Sequence, residues 1–139
     1  MPAEFFLDTN IFVYTFDHSA LAKRDRAREL VQAALDGNGV ISWQVVQEFL
    51  NVALRRFEHP LTAREAAEYL DEVLAPLCNV FPTPDLFRDA LATHTETGFH
   101  YYDALVVAGA IASGARTLYT EDMQSGRELR GVRIENPFA

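Results

Sequence analysis

Four acidic residues stand at the edges of the structural elements that this sequence predicts. Asp8 closes one strand-like run, and Asp122 follows another. Glu48 lies near the start of a predicted helix, and Asp103 lies in the first turn of a second one. A cluster of like charges is unfavourable unless a cation holds it together. If these acids meet in space, they form a site for Mg²⁺ or Mn²⁺, ions that proteins use for phosphodiester chemistry.

The elements that must position these acids alternate between strands and helices. Strands are predicted at residues 4–7, 39–42, 79–81, 117–119 and 132–134. Helices are predicted at residues 20–36, from Ser42 to Pro60, from Thr62 to about Leu74, from Thr83 to about Glu96, and from Tyr101 to Ser113, with a short helix or turn at residues 10–16. This alternation predicts an α/β fold, with a mainly parallel sheet and helices on both faces. The ligand site of such a sheet lies beyond the carboxyl ends of its strands, so all four acids can face one edge.

Each acid alone also has an ordinary structural explanation. An Asp in the first turn of a helix, such as Asp103, interacts favourably with the helix dipole, and Asp8 can cap a turn. Glu48 lies off the apolar stripe of its helix, and Asp122 stands in a polar loop. The joint pattern favours a site, because Asp8 and Asp103 have strongly apolar neighbours among which an unpaired charge is costly.

Polar residues beside these acids are candidates for orienting them. Thr9 and Asn10 follow Asp8, and Thr120 precedes Asp122 by two positions. Their hydroxyl and amide groups can position a carboxylate or hold a metal-bound water. Ordinary turn chemistry explains the same residues, and for Glu121 we favour a solvent-exposed role.

Composition limits the classes of protein that this chain can represent. Its 139 residues predict a single domain spanning 1–139. One cysteine excludes an intrachain disulfide, and the four histidines lack the paired spacing of a zinc site. No signal peptide is visible, and the longest apolar run, residues 104–112, is too short to span a bilayer. These features predict a cytoplasmic protein that does not use a membrane.

The net charge of −8 argues against generic nucleic-acid binding, since such binders are basic. Two divalent cations would reduce this charge to −4 and would lie at the reactive phosphate. Other affinity for RNA would then come from a local basic patch or a second protomer.

Four segments resemble the acidic motifs of PIN-domain proteins. They are Phe-Leu-Asp-Thr-Asn-Ile-Phe-Val-Tyr (6–14), Val-Val-Gln-Glu-Phe (45–49), Tyr-Asp-Ala-Leu-Val-Val-Ala-Gly-Ala (102–110) and Leu-Tyr-Thr-Glu-Asp-Met (118–123). Length and motif order are similar to those of the VapC-like toxins of type II toxin–antitoxin systems. Trp or Phe is common in these relatives at the position of Tyr102.

This resemblance implies a three-layer α/β/α sandwich and a Mg²⁺- or Mn²⁺-dependent endoribonuclease that leaves a 5′-phosphate and a 3′-hydroxyl. It also implies a homodimer and a cognate antitoxin that inserts a segment into the active-site groove. The metal-binding acids carry over to Asp8, Glu48, Asp103 and Asp122, and the neighbouring polar positions carry over to Asn10 and Thr120.

Two basic clusters are candidates for contact with RNA or with the antitoxin. One is at the start of the second helix and comprises Lys23, Arg24, Arg26 and Arg28, and the other is Arg55-Arg56. A solvated helix face explains the same residues. Phosphate contact by them would make RNA binding salt-dependent.

Two other functions compete with the nuclease. A phosphoryl-transfer protein with an aspartyl phosphate also has acids after its first strand, but such families need a lysine near the phosphate. Lys23, the only lysine, is predicted to lie far from any strand end, and Asn10 takes the place of the second Asp of the phosphatase pattern. A catalytically silent module could instead use the acidic groove to capture a basic segment.

Overall fold

A six-stranded sheet forms the centre of the molecule in the computed structural model, which describes residues 3–139. The strands are β1 Phe5–Leu7, β2 Gly39–Ser42, β3 Cys78–Val80, β4 Thr117–Tyr119, β5 Glu128–Leu129 and β6 Val132–Glu135. Their order is β3-β2-β1-β4-β6-β5. Every pairing is parallel except that of β5 with β6.

Helices flank this sheet, so the predicted three-layer α/β/α sandwich is confirmed. They are α1 Thr9–Tyr14, α2 Leu21–Ala33, α3 Trp43–Arg55, α4 Ala63–Tyr69, α5 Ala75–Leu77, α6 Pro84–Thr97 and α7 Tyr101–Ser113. Wide π-type turns at Ala34–Asn38 and Leu70–Leu74 follow α2 and α4. None of the helices within residues 3–139 combines the length and apolar character needed to cross a bilayer.

The strand β1 lies in the interior because it has a parallel partner on each side. Phe5 is opposite Gly39 on β2 and Thr117 on β4. All three residues of β1 are buried, which explains its unbroken apolar sequence. The residues 104–110 of α7 are also buried, and they pack this helix against the sheet.

Local sequence signals account for most element boundaries. Thr62 and Glu65 form the expected capping box, and Thr83 caps α6 through the amide of Leu86. Gly98 and Gly114 end α6 and α7 in the left-handed conformation, as expected for these stop positions.

Three predicted details differ from the structure. Ser42 precedes α3, but its hydroxyl makes no cap bond and is buried without a partner. The helix α3 ends at Arg55, before the predicted stop at Pro60. The strand β5 was not predicted, because it has only two residues and forms through a tight turn. Arg130 and Gly131 in that turn both have positive φ, at 47° and 86°, which suits a two-residue hairpin.

Candidate active site

The four acids gather near the carboxyl ends of β1 and β4. Leu7 is opposite Tyr119, so Asp8 and Thr120, the residues that follow them, leave the sheet side by side. The amide of Asp8 donates to the carbonyl of Tyr119 over 3.1 Å, which joins the two strand ends. The parallel pairing therefore places Asp8 beside Thr120, residues that are far apart in sequence.

Asp8 is the buried centre of this group. Its side chain is only 5% exposed, and it caps α1 by accepting from the amide of Thr9 at 2.7 Å. Its other oxygen accepts from the hydroxyl of Thr120 at 2.8 Å. Burial raises the pKa of Asp8 to about 7, the negative charges of Glu48 and Asp122 add to that rise, and the two hydrogen bonds oppose it.

Thr120 connects three of the polar residues that the sequence singles out. Its hydroxyl donates to Asp8 and accepts from the side-chain amide of Asn10 at 3.3 Å and from the backbone amide of Asp122 at 3.2 Å. Asn10 also donates to the carboxylate of Asp122 at 3.0 Å. The hydroxyl of the fully buried Thr120 therefore links the end of β4 to the start of α1 and to the exposed Asp122.

Glu48 joins the same network from the neighbouring helix α3. One of its carboxylate oxygens accepts from the hydroxyl of Thr9 at 2.9 Å, and the other accepts from Gln44 at 3.0 Å. Gln44 also donates to the backbone carbonyl of Tyr102 at 3.1 Å, which ties α3 to the start of α7.

Gln44 was not among the predicted site residues. The available signal was its spacing, since a residue four positions before Glu48 lies on the same face of the helix. Its burial and its bond to α7 depend on tertiary packing, which local spacing does not reveal.

Asp103 lies half-buried in the first turn of α7. Burial and the negative charge of Asp122 raise the pKa of Asp103, and the charge of Glu48 contributes to the same rise. His100 opposes this shift, and it caps the helix by accepting from the amide of Tyr102. Asp8 and Asp103 therefore each lie within the electrostatic influence of Glu48 and Asp122.

These acids do not form a ready-made metal site. No group of three or more His, Cys, Asp or Glu side chains in the described part of the chain is arranged so that it could hold an ion as it stands. Several carboxylate oxygens are instead hydrogen-bonded to Thr9, Asn10, Gln44 and Thr120.

Two adjoining cavities form a groove that is bordered by Glu48 and Asp122. One cavity, of about 600 Å³, is bordered by Thr9, Asn10, Glu48 and Asp122 together with Arg56. A second cavity, of about 290 Å³, shares Glu48 and Asn51 with the first and is bordered on its far side by Tyr102.

Glu121 and Lys23 form an ion pair at the rim of the site. Lys23 Nζ lies 2.7 Å from Glu121 Oε2, and the hydroxyl of Tyr14 donates to the same carboxylate. The expectation that Glu121 is a solvent-exposed acid is therefore wrong. The expectation that Lys23 lies far from any strand end is also wrong, since α2 packs so that its lysine reaches the loop directly after β4.

The other residues of the predicted basic cluster make contacts nearby. Arg24 contacts Asp25 and His18, and Arg26 pairs with Glu29. Arg28 donates to the backbone carbonyl of Thr15. Contact of these arginines with RNA or with a partner stays a prediction.

The fold has close counterparts among solved structures. A chain of a toxin–antitoxin complex from Klebsiella pneumoniae is 18% identical with a TM-score of 0.68, and the match covers 95% of this chain and 96% of that one. A chain of VapBC2 from Rickettsia felis, bound to a promoter DNA fragment, is 21% identical with a TM-score of 0.67 and coverages of 95% and 97%. The sarcin–ricin-loop-cleaving toxin VapC20 of Mycobacterium tuberculosis is 22% identical with a TM-score of 0.61 and coverages of 85% and 91%.

The family of this chain is identified by a family model, because structural matches at such low sequence identity establish only the fold. No curated protein shows a significant sequence match to this chain. The PIN domain model matches residues 5–125, which include all four acids and the loop that carries Asp122. The chain therefore belongs to the PIN domain family.

Proposed function

We propose that this protein is a Mg²⁺- or Mn²⁺-dependent endoribonuclease and the toxin of a toxin–antitoxin pair. Its metal-binding and catalytic residues would be Asp8, Glu48, Asp103 and Asp122. The observation that carries this proposal is the single polar network in which Thr9, Asn10, Gln44 and Thr120 contact three of these acids at the edge of the sheet.

The chemistry of these side chains fits a hard divalent cation. The four acids supply oxygen ligands, which Mg²⁺ and Mn²⁺ prefer, and their mutual repulsion contributes to the raised pKa values of Asp8 and Asp103. A cation bound among these acids would relieve that repulsion. When bound, such an ion would polarise the scissile phosphate and lower the pKa of a bound water.

The neighbouring residues would keep the carboxylates in their working orientation. Thr120 and the amide of Thr9 hold both oxygens of Asp8, and Gln44 and Thr9 hold those of Glu48. Asn10 supports Asp122 in the same way. The groove beside them, at about 600 Å³, has the volume of a typical small-molecule site and can receive a nucleotide. Hydrolysis there would leave a 5′-phosphate and a 3′-hydroxyl.

The structural relatives support RNA as the substrate and an antitoxin as the partner. Two of them are complexes of toxin with antitoxin, and VapC20 is described as a toxin that cleaves the sarcin–ricin loop. By analogy we infer that a cognate antitoxin covers the groove of this chain. We also propose that it works as a homodimer in the cytoplasm, where RNA is available.

Cleavage of RNA by the purified protein tests the proposal directly. Structured RNA should be cut with Mn²⁺ or Mg²⁺ and should stay intact with a chelator. Asp8→Asn and Asp103→Asn should abolish cleavage and keep the fold, whereas Asp71→Asn, an exposed substitution on another part of the surface, should cleave normally.

The opposite results identify the competing functions. Intact RNA under both conditions would favour a binding module over a nuclease. Full activity of Asp8→Asn or Asp103→Asn would contradict the assigned site. Expression without the antitoxin should arrest growth, and harmless accumulation of the wild-type protein would count against the toxin role but not against the nuclease.

A further inference from the structure

The groove extends to both sides of Glu48. The larger cavity continues from Asp122 past Glu48 and Asn51 to Arg56 at the end of α3. The smaller cavity begins at the same Glu48 and Asn51 and ends at Tyr102. Glu48 and Asn51 therefore border both cavities, and Arg56 lines one of them while Tyr102 lines the other.

Arg56 differs from the arginines of α2 in having no internal partner. Within residues 3–139 its guanidinium forms neither an ion pair nor a hydrogen bond, and the residue is exposed. Arg24, Arg26 and Arg28 all contact acidic or carbonyl oxygens. On a chain with a net charge of −8, an unpaired arginine in the groove is well placed to attract a phosphate.

Tyr102 presents an aromatic surface at the opposite end. It is 59% exposed, so its ring is accessible to a ligand in the smaller cavity. Its backbone is held firmly, because its carbonyl accepts from Gln44 and its amide donates to His100. Its ring stacks on that of His100, with centroids 5.8 Å apart and an interplanar angle of 29°.

We propose that Arg56 and Tyr102 form a track for unpaired RNA across the acidic site. Tyr102 stacks on a base, and Arg56 contacts a backbone phosphate on the other side of Glu48. Bases of a duplex are already stacked on their neighbours, so a platform of this kind selects single-stranded or looped RNA. This inference rests on the proposed nuclease function and assigns the residues that bind its substrate.

Binding can be measured separately from cleavage. Anisotropy of a fluorescent single-stranded RNA would be followed with the Asp103→Asn protein in Mg²⁺, and with the same protein carrying a second substitution. Adding Arg56→Ala should weaken binding by roughly 10- to 150-fold, the value of a charge-assisted hydrogen bond. The slope of log affinity against log salt should fall by about 0.7, since one phosphate contact is lost.

Tyr102 is tested with a pair of substitutions. Tyr102→Ala should weaken binding by roughly 5- to 150-fold, the range for loss of one base–aromatic stack. Tyr102→Phe should keep near-normal affinity because it retains the ring. A fully paired RNA duplex should bind weakly to the parent protein, and Tyr102→Ala should hardly change that binding.

The neighbouring Arg55 supplies the matched control. Arg55→Ala removes the same charge from the same end of α3, but this residue does not border the groove, so affinity should change little. Equal effects of Arg55→Ala and Arg56→Ala, or normal RNA affinity of Arg56→Ala and Tyr102→Ala, would overturn the track. In the latter case, loss of antitoxin binding by the same variants would assign these residues to the protein partner.

The two proposals fail in different ways. Absence of cleavage by the wild-type protein would contradict the nuclease function. If the wild-type protein cleaves RNA but Arg56→Ala and Tyr102→Ala leave the RNA affinity unchanged, only the track would be contradicted.

Discussion

At the scale of single residues, the most unusual group is the carboxyl group of Asp8. Burial raises its pKa from 3.8 to about 7 despite its hydrogen bonds to Thr9 and Thr120. The folded metal-free protein therefore takes up a proton at Asp8 at a pH where the unfolded chain has already released it. The stabilisation from this protonation is complete below about pH 4 and is lost as the pH rises through 7.

This linkage predicts that Asp8→Asn stabilises the metal-free protein at high pH. Between about pH 4 and pH 7, the free energy of unfolding of the wild type should fall relative to that of the variant. The pKa difference corresponds to roughly 4 kcal/mol as an upper bound, since an amide makes a poorer partner for Thr120 than a carboxylate does. Urea denaturation in the presence of a chelator measures the difference.

The wild type and Asp8→Asn share all other titratable residues, so the contribution of those residues to the free energy of unfolding largely cancels in the comparison. Asp71→Asn provides the control, since an exposed substitution should leave the pH dependence unchanged. A difference between wild type and Asp8→Asn that stays constant with pH would contradict the raised pKa.

At the scale of elements, the close packing of β1 and β2 depends on a glycine. A Cβ atom at Gly39 would lie 2.6 Å from the Phe5 ring and 2.7 Å from the Cβ of Ala34. At Gly109, in the middle of α7, a Cβ atom would make ordinary contacts of 3.6 Å with Phe6 and Ser42. Gly39 lies within the sheet and Gly109 packs against it, but only Gly39 is required by lack of space.

The two glycines therefore predict opposite effects of the same substitution. Gly39→Ala should destabilise the protein by about 1–3 kcal/mol, because the added methyl group overpacks the site and pushes Phe5 and Ala34 away from it. Gly109→Ala should stabilise it by about 0.5–1 kcal/mol, because alanine loses less entropy in a helix interior. Urea denaturation of both variants measures these changes. If Gly39→Ala and Gly109→Ala destabilise the protein equally, the lack of space at Gly39 does not explain the effect.

At the scale of the whole molecule, the fold brings four acids close enough for repulsion between them. The chain carries a net charge of −8, and four of its carboxylates share one sheet edge. A bound divalent cation would reduce this repulsion in the folded state only, since the acids are dispersed in the unfolded chain. Metal binding should therefore be coupled to global stability.

Mn²⁺ is accordingly expected to raise the melting temperature of the wild-type protein. A concentration 100 times the dissociation constant corresponds to about 2.7 kcal/mol of added stability, which amounts to several degrees in a chain of this length. Asp8→Asn and Asp103→Asn should show a much smaller shift, and Asp71→Asn should behave like the wild type. Equal shifts in all four proteins in differential scanning calorimetry would exclude a metal site built from these acids.

The types of the main elements and the ends of most helices follow from the sequence alone, and so does the position of Asp8 and Asp122 after neighbouring parallel strands. These depend on local periodicity, on capping residues such as Thr62 and Gly98, and on the general rule that parallel strands end at one edge of a sheet.

The polar groups that contact those acids could be identified only from the packing of the folded chain. The bond from Gln44 to the start of α7, the pairing of Lys23 with Glu121, and the raised pKa of Asp8 each depend on residues that are distant in sequence or on burial by several elements. Local patterns carry no information about such packing. Tertiary packing likewise places Arg56 and Tyr102 beside two cavities that share Glu48 and Asn51, an arrangement that no spacing along the chain could reveal.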